Sequence, residues 1–129
     1  MQRIGRLVRD YGGRVLDAVG DNLSAEFESE SAALSCAMQV QRRLREDRLR
    51  VRIGVHTGDV WAMDERRFGE VVNIAARLQS AATPGGIMIS EELADRVDPS
   101  LGRQLVDVGP RTFKNIPYAV STFAVSNDI

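Results

Sequence analysis

The sequence predicts an α+β domain in which two β-hairpins alternate with helices that cover one face of a mostly antiparallel sheet. Three observations predict it. Val51, Ile53 and Val55 alternate with Arg52, Gly54 and His56, the two-residue period of a half-buried strand. Ala33, Ala37, Val40 and Leu44 recur at helical spacing and form an inward stripe. Turn-forming triplets, Gly20-Asp21-Asn22 and Thr57-Gly58-Asp59, separate the periodic runs.

Taken in order, residues 1–11 place Ile4, Leu7 and Val8 at i, i+3, i+4, a helix that Gly12-Gly13 ends. Strands over 14–19 and 23–27 flank the first turn and make a hairpin. Ser29 or Ser31 is the expected N-cap of the next helix, with Glu28 and Glu30 near its positive end. That helix closes in Arg42, Arg43, Arg45, Glu46, Asp47 and Arg48, where acids interleave with bases, so it reads as a solvated face rather than a phosphate patch. The second hairpin pairs the strand around Ile53 with a return over 60–63. A helix over 68–81 follows, with Val72, Ile74, Ala75, Ala76 and Leu78 as apolar cover. Pro84-Gly85-Gly86 turns the chain into a strand at 87–89, a short helix runs from Ser90 to Val97, and strands at 105–108 and 120–125 finish the sheet.

At 129 residues the chain is one domain, 1–129, long enough to bury a core. Seventeen basic residues against 18 acidic ones leave a formal net charge of −1, which removes a global electrostatic reason to bind nucleic acid or an anionic membrane. No apolar run approaches the ~18 residues of a membrane span, so a cytoplasmic location is expected. The single Cys36 sits among Ala32, Ala33, Leu34, Ala37 and Met38, the surroundings of a buried helix thiol. The lone His56 has no Cys or His companions for a zinc site and reads as structural.

Read by themselves, the residues that carry chemistry leave plain alternatives open. Asp21 in a Gly-Asp-Asn turn is a turn former by default. Asn73 is a mediocre helix former inside an apolar helix and needs a reason to be there. Asn73 and Arg77 lie four apart on one helical face, which serves a shared ligand or a mere polar stripe. Lys114 alone signals little, and Gly85-Gly86 lacks the spacing of a phosphate loop.

Several ordered motifs then carry a resemblance. They are Gly12-Gly13-Arg14-Val15, Gly20-Asp21-Asn22-Leu23-Ser24-Ala25-Glu26-Phe27, Arg52-Ile53-Gly54-Val55-His56-Thr57-Gly58, Phe68-Gly69, Asn73-Ile74-Ala75-Ala76-Arg77-Leu78, Asp107-Val108-Gly109 and Lys114-Asn115-Ile116. Over nearly its whole length the chain resembles the catalytic domain of class III adenylate/guanylate cyclases. The resemblance implies a ferredoxin-like fold, a head-to-tail dimer and active sites at the interface. There, ATP or GTP is converted to a 3′,5′-cyclic nucleotide and pyrophosphate. One chain brings two aspartates for two divalent ions, Mg2+ or Mn2+, and the other brings purine-selecting residues with an Asn and an Arg.

By position, Asp21 matches the second metal aspartate, Asn73 the ribose-orienting Asn and Arg77 the transition-state Arg. Lys114 matches more loosely a lysine on the terminal phosphates. Asp17 stands where an adenine-selecting lysine is expected, and Arg66 about where the second purine-selecting residue falls, in a segment that looks shortened. An ionised carboxylate accepts hydrogen bonds but donates none to adenine N1. The strand bearing the first metal aspartate, a central one in the family sheet, has no counterpart in these residues. The expectation is therefore a truncated or degenerate domain whose homodimer is inactive or very weak, since losing one transition-state clamp costs ~3–4 kcal/mol. It would be a gene fragment, a late-start gene or a protomer completed by another chain. Two non-catalytic readings stand beside it: a half-site partner in a heterodimer with a complete cyclase domain, and a nucleotide-binding regulatory pseudocyclase.

Overall fold

A computed structural model describes residues 2–19, 22–58 and 64–126. Helix α1 (Gln2–Asp10) buries Val8 and leads into an antiparallel ribbon, β1 (Arg14–Val19) and β2 (Asn22–Glu26). Gly20 and Asp21, in the turn expected between them, lie outside the described residues. Arg14 stands opposite Glu26 and donates from Nε to Glu26 Oε1 at 2.9 Å. The register then shifts between Val15 and Asp17, leaving Leu16 as an exposed extra residue.

Helix α2 (Glu30–Glu46) is capped by Ser29, whose hydroxyl accepts from the Ala32 amide at 3.2 Å. Ser31 is used otherwise: its hydroxyl accepts from the Asp98 amide at 2.9 Å. The buried face of α2 is wider than the four-residue stripe, taking in Leu34, Cys36, Ala37, Met38, Val40, Gln41 and Leu44, while Ala33 is only partly covered. The width has a cause: one side of α2 meets the sheet, and the other meets α1 and the ribbon. Its terminal arginines are exposed, as the interleaved charges suggested.

Strand β3 (Ile53–Val55) is shorter than the alternating run, and the return expected over 60–63 falls outside the described residues. Helix α3 (Glu65–Ala81) begins before Phe68 because Asp64 caps it, accepting from the Arg67 amide at 2.9 Å. Only Ile74 and Leu78 of its apolar residues are fully buried; Val72 and Ala76 face outward. Then follow β4 (Ile87–Ser90), α4 (Glu91–Ala94), α5 (Pro99–Gly102), β5 (Leu105–Arg111) and β6 (Val120–Val125). The α5 turn was not legible as a helix, and β5 continues past Val108 through a register shift between Asp107 and Gly109.

The described strands make two sheets, the ribbon β1-β2 and a four-stranded sheet ordered β3-β4-β6-β5. Among the described residues only β3 and β4 run parallel, joined through α3, so pairing is mostly antiparallel. Helices cover both faces of the larger sheet, not one. Ile87 and Ile89 of β4 pack with Leu34, Ala37 and Met38 of α2, whereas Met88 between them packs with Ile74 and Leu78 of α3. A third cluster, Val8, Cys36, Val40 and Leu44, is covered by Leu23, Ala25 and Phe27 from the ribbon side and by Val51 and Ile53 from the β3 side. Among the described residues no strand joins the ribbon to β3.

The turn before β4 forms as its sequence suggested. Gly86 N–H donates to Thr83 O at 2.8 Å, and Gly85 at φ 80 takes the left-handed position that glycine favours. Buried Gln41 ties this turn to the approach of β3, donating from Nε2 to Val51 O at 3.0 Å and to Gly86 O at 2.9 Å.

Candidate functional site

Helix α3 lies against β3 and β4, with Ile74 and Leu78 anchored on Met88, Ile116 and Val120. One turn apart on this helix, Asn73 and Arg77 are each half-buried. The Nε of Arg77 is buried and, among the described residues, has no hydrogen-bond partner. A donor atom held out of water without an acceptor is costly, and because Arg77 as a whole is half-buried, the rest of its guanidinium remains open to an anionic ligand.

The loop between β5 and β6 docks on the same helix. Ile116 is buried in the α3 cluster with Phe113 beside it, and Tyr118 donates from its hydroxyl to Glu70 Oε1 at 2.6 Å. That hydrogen bond, with burial and the Glu70 charge adding to it, pushes the Tyr118 phenol up to about 12. Lys114 rides exposed on this loop, next to Asn115 at φ 69. The structure thus gathers Asn73, Arg77 and the Lys114 loop on α3. Arg66 is exposed in the first turn of the same helix. Asp17 is exposed on β1, in the other sheet, and Asp21 lies outside the described residues.

Sequence reasoning missed Glu70 and Tyr118, which are 48 positions apart and leave no local pattern. It also missed the partner of His56, whose Nδ1 lies 2.7 Å from Ser90 Oγ. Ser90 Oγ accepts from the Leu93 amide at 3.3 Å while capping α4, so its hydroxyl is free to donate to Nδ1. The proton then belongs on Nε2, 3.5 Å from Glu92 Oε2. Burial pushes His56 down to about 4, against the pull of Glu70 and with the help of Arg96. Beside it, Thr57 donates to Glu30 Oε2 at 3.0 Å, and Arg96 Nη1 approaches the same oxygen at 3.7 Å. This network binds the end of β3 to α2 and α4, a structural role for His56.

No group of three or more His, Cys, Asp or Glu side chains among the described residues is placed to hold a metal ion. These residues do not supply a two-metal carboxylate set.

Fold and helix together define a ferredoxin-like α+β domain that offers a carboxamide and a guanidinium from a single helix face. The family described as the adenylate and guanylate cyclase catalytic domain matches residues 21–126. The chain is similar to "Putative adenylate cyclase 3" of Rhizobium meliloti (strain 1021), 39% identical over 118 residues, covering 85% of this chain and 20% of that protein. It is 36% identical over 118 residues to an uncharacterized protein of Mycobacterium tuberculosis, covering 88% of this chain and 41% of that one. The crystal structure of an adenylate/guanylate cyclase/hydrolase from Silicibacter pomeroyi matches with TM-score 0.76 and 30% identity, covering 98% of this chain and 79% of that chain. The chain belongs to the adenylate and guanylate cyclase catalytic domain family, the class III nucleotide cyclases. It spans less than half the length of the two sequence relatives. Cyclases of this class bind ATP or GTP, function as dimers and generally use Mg2+ or Mn2+. No helix among the described residues is long and apolar enough to cross a membrane.

Proposed function

We propose that this domain supplies the Asn73/Arg77 half of a composite cyclase site and that a metal-competent cyclase domain supplies the other half. The observation that carries this reading is the buried Nε of Arg77, which finds no partner among the described residues. In the reaction the ribose 3′-oxygen bonds to the α-phosphorus, the bond to the pyrophosphate oxygen breaks and the hydroxyl proton is lost. Arg77 stabilises the charge that grows on the α-phosphoryl oxygens, a contribution made mainly in the transition state. Asn73, one turn away on α3, orients the ribose so that the 3′-hydroxyl lies in line.

Lys114, carried on the loop anchored by Ile116, is assigned to the terminal phosphates. Asp17 and Arg66 are assigned to the purine, and Asp17 as an ionised acceptor argues against adenine N1 as its contact. Asp21 is the one carboxylate matching a metal position, so the divalent-metal chemistry of the class falls to the partner. Dependence on cellular ATP or GTP assigns the domain to the cytoplasm.

The test uses a complete class III cyclase whose own transition-state arginine has been removed. Adding this chain is expected to restore cyclic-nucleotide production. Arg77→Ala should lower the restored rate by ~10²–10³-fold, the range for losing one oxyanion-type donor. Absence of restoration at saturating chain would overturn the half-site reading. Nucleotide binding by calorimetry without restoration would leave the regulatory one.

A further inference from the structure

We infer that Gly54 is a positioning residue for the turn of α3 that bears Arg77, an inference that rests on the half-site reading above. Gly54 is the middle residue of β3 and pairs with Met88 of β4. Ile53 and Val55 on either side pack toward the α2 core, so position 54 faces α3. A Cβ there would lie 2.3 Å from Ala75 O, 2.3 Å from Gln79 N and 2.9 Å from Gln79 Cα. All three are backbone atoms, and no rotamer change moves them aside.

Ala75 O and Gln79 N stand in the i, i+4 relation of a helical hydrogen bond, and Arg77 is the centre of that turn. A methyl group at 54 would therefore press on the rung above which Arg77 leaves the helix. Gly54 has no left-handed φ, unlike Gly12, Gly85 and Gly109, so glycine is required here for space and not for conformation.

Two seats fix the height of α3 over the sheet. Ile74 and Leu78 rest on Met88, and the backbone of the 75–79 turn rests on Gly54. Side-chain contacts repack when crowded, but a backbone seat does not. Restoring an ordinary contact at 54 lifts the turn by about 1 Å, given ordinary carbon contact distances. Displacement on that scale costs on the order of 10²-fold when a group must meet a transition state. Gly69, also on α3, has nothing within 4 Å of an added Cβ and serves as the control.

The full chain carrying Gly54→Ala, Gly69→Ala, Arg77→Ala or both Gly54→Ala and Arg77→Ala is titrated into the arginine-deficient cyclase. Gly54→Ala is expected to lower the maximal restored rate ~10²-fold with the half-saturating concentration unchanged, and Gly69→Ala to leave both alone. The double variant should be no slower than Arg77→Ala. Additive losses, or a change confined to half-saturation, would overturn the inference. Should Gly54→Ala lose its circular dichroism signal, trimethylamine N-oxide is used to restore the fold. A rate that stays low in the refolded protein supports positioning, while a rate that returns with the folded fraction makes Gly54 merely structural. If the wild-type chain restores nothing, the half-site reading fails separately, and the inference is read from amide chemical shifts. Gly54→Ala must then perturb residues 73–79, and shifts confined to β3 would overturn it.

Discussion

At His56 burial, helped by the Arg96 charge, outweighs the pull of Glu70: the side chain is 4% exposed and its pKa falls from 6.5 to about 4. Between those values the unfolded chain binds a proton that the folded chain refuses. Stability is therefore full above pH ~6.5 and falls as the pH drops toward 4. By linkage the loss at pH 5 relative to pH 7.5 is on the order of 2 kcal/mol. Urea unfolding at the two pH values should show it, and His56→Gln should flatten the difference; an unchanged slope would mean that another group carries the effect. Cys36, 3% exposed, is held up to about 11 by burial with Asp10 adding, the inert thiol its neighbours implied. At this scale Asn73 and Arg77 were legible because i, i+4 spacing is local. The Tyr118–Glu70 bond was not, because its partners lie on separate elements.

Between elements, polar side chains buried at the joints decide what moves with what. Gln41 on α2 holds the segments entering β3 and β4 by donating to Val51 O and Gly86 O. Each carbonyl also accepts a backbone amide, from Gly85 at 2.8 Å and from Ile53 at 3.2 Å. Gln41→Ala removes two buried donations and the packing of the stem, an expected loss of about 2–3 kcal/mol. The measurement is a lower urea midpoint with unchanged m; a shift below a few tenths of a molar would show that water replaces the amide. The start of α2 was legible to within two residues, with Ser29 or Ser31 as its cap, whereas Asp64, which caps α3, was not read as one. Boundaries were hidden where tertiary pairing overrode local cues, as in the extension of β5 beyond Val108.

Across the whole molecule, stability is unevenly distributed. All four residues of β4 are buried, flanked by β3 and β6 and covered by α2 and α3. The ribbon β1-β2 has no ladder to the larger sheet among the described residues and rests on the α1–α2 cluster through Leu23, Ala25 and Phe27. A two-stranded ribbon is marginal by itself, so its amides should open by local unfolding. Native-state hydrogen exchange is expected to release β1 and β2 at least ten-fold faster than β4, since about 1.4 kcal/mol suffices for that ratio. Equal protection would show that ribbon and sheet unfold as one unit.

The alternation around Ile53, the inward stripe of α2, the Pro-Gly-Gly turn, the family and the i, i+4 placement of Asn73 and Arg77 were determined by sequence alone. Each depends on neighbours in the chain or on the order of motifs. Tertiary structure decided that helices cover both faces, that Gly54 is a spacer under α3, that the Lys114 loop is anchored to Glu70, and that Arg77 Nε is buried with no partner among the described residues. The physical reason is that close approach of two backbones, and the burial it creates, belongs to pairs of distant residues and leaves no period in one dimension.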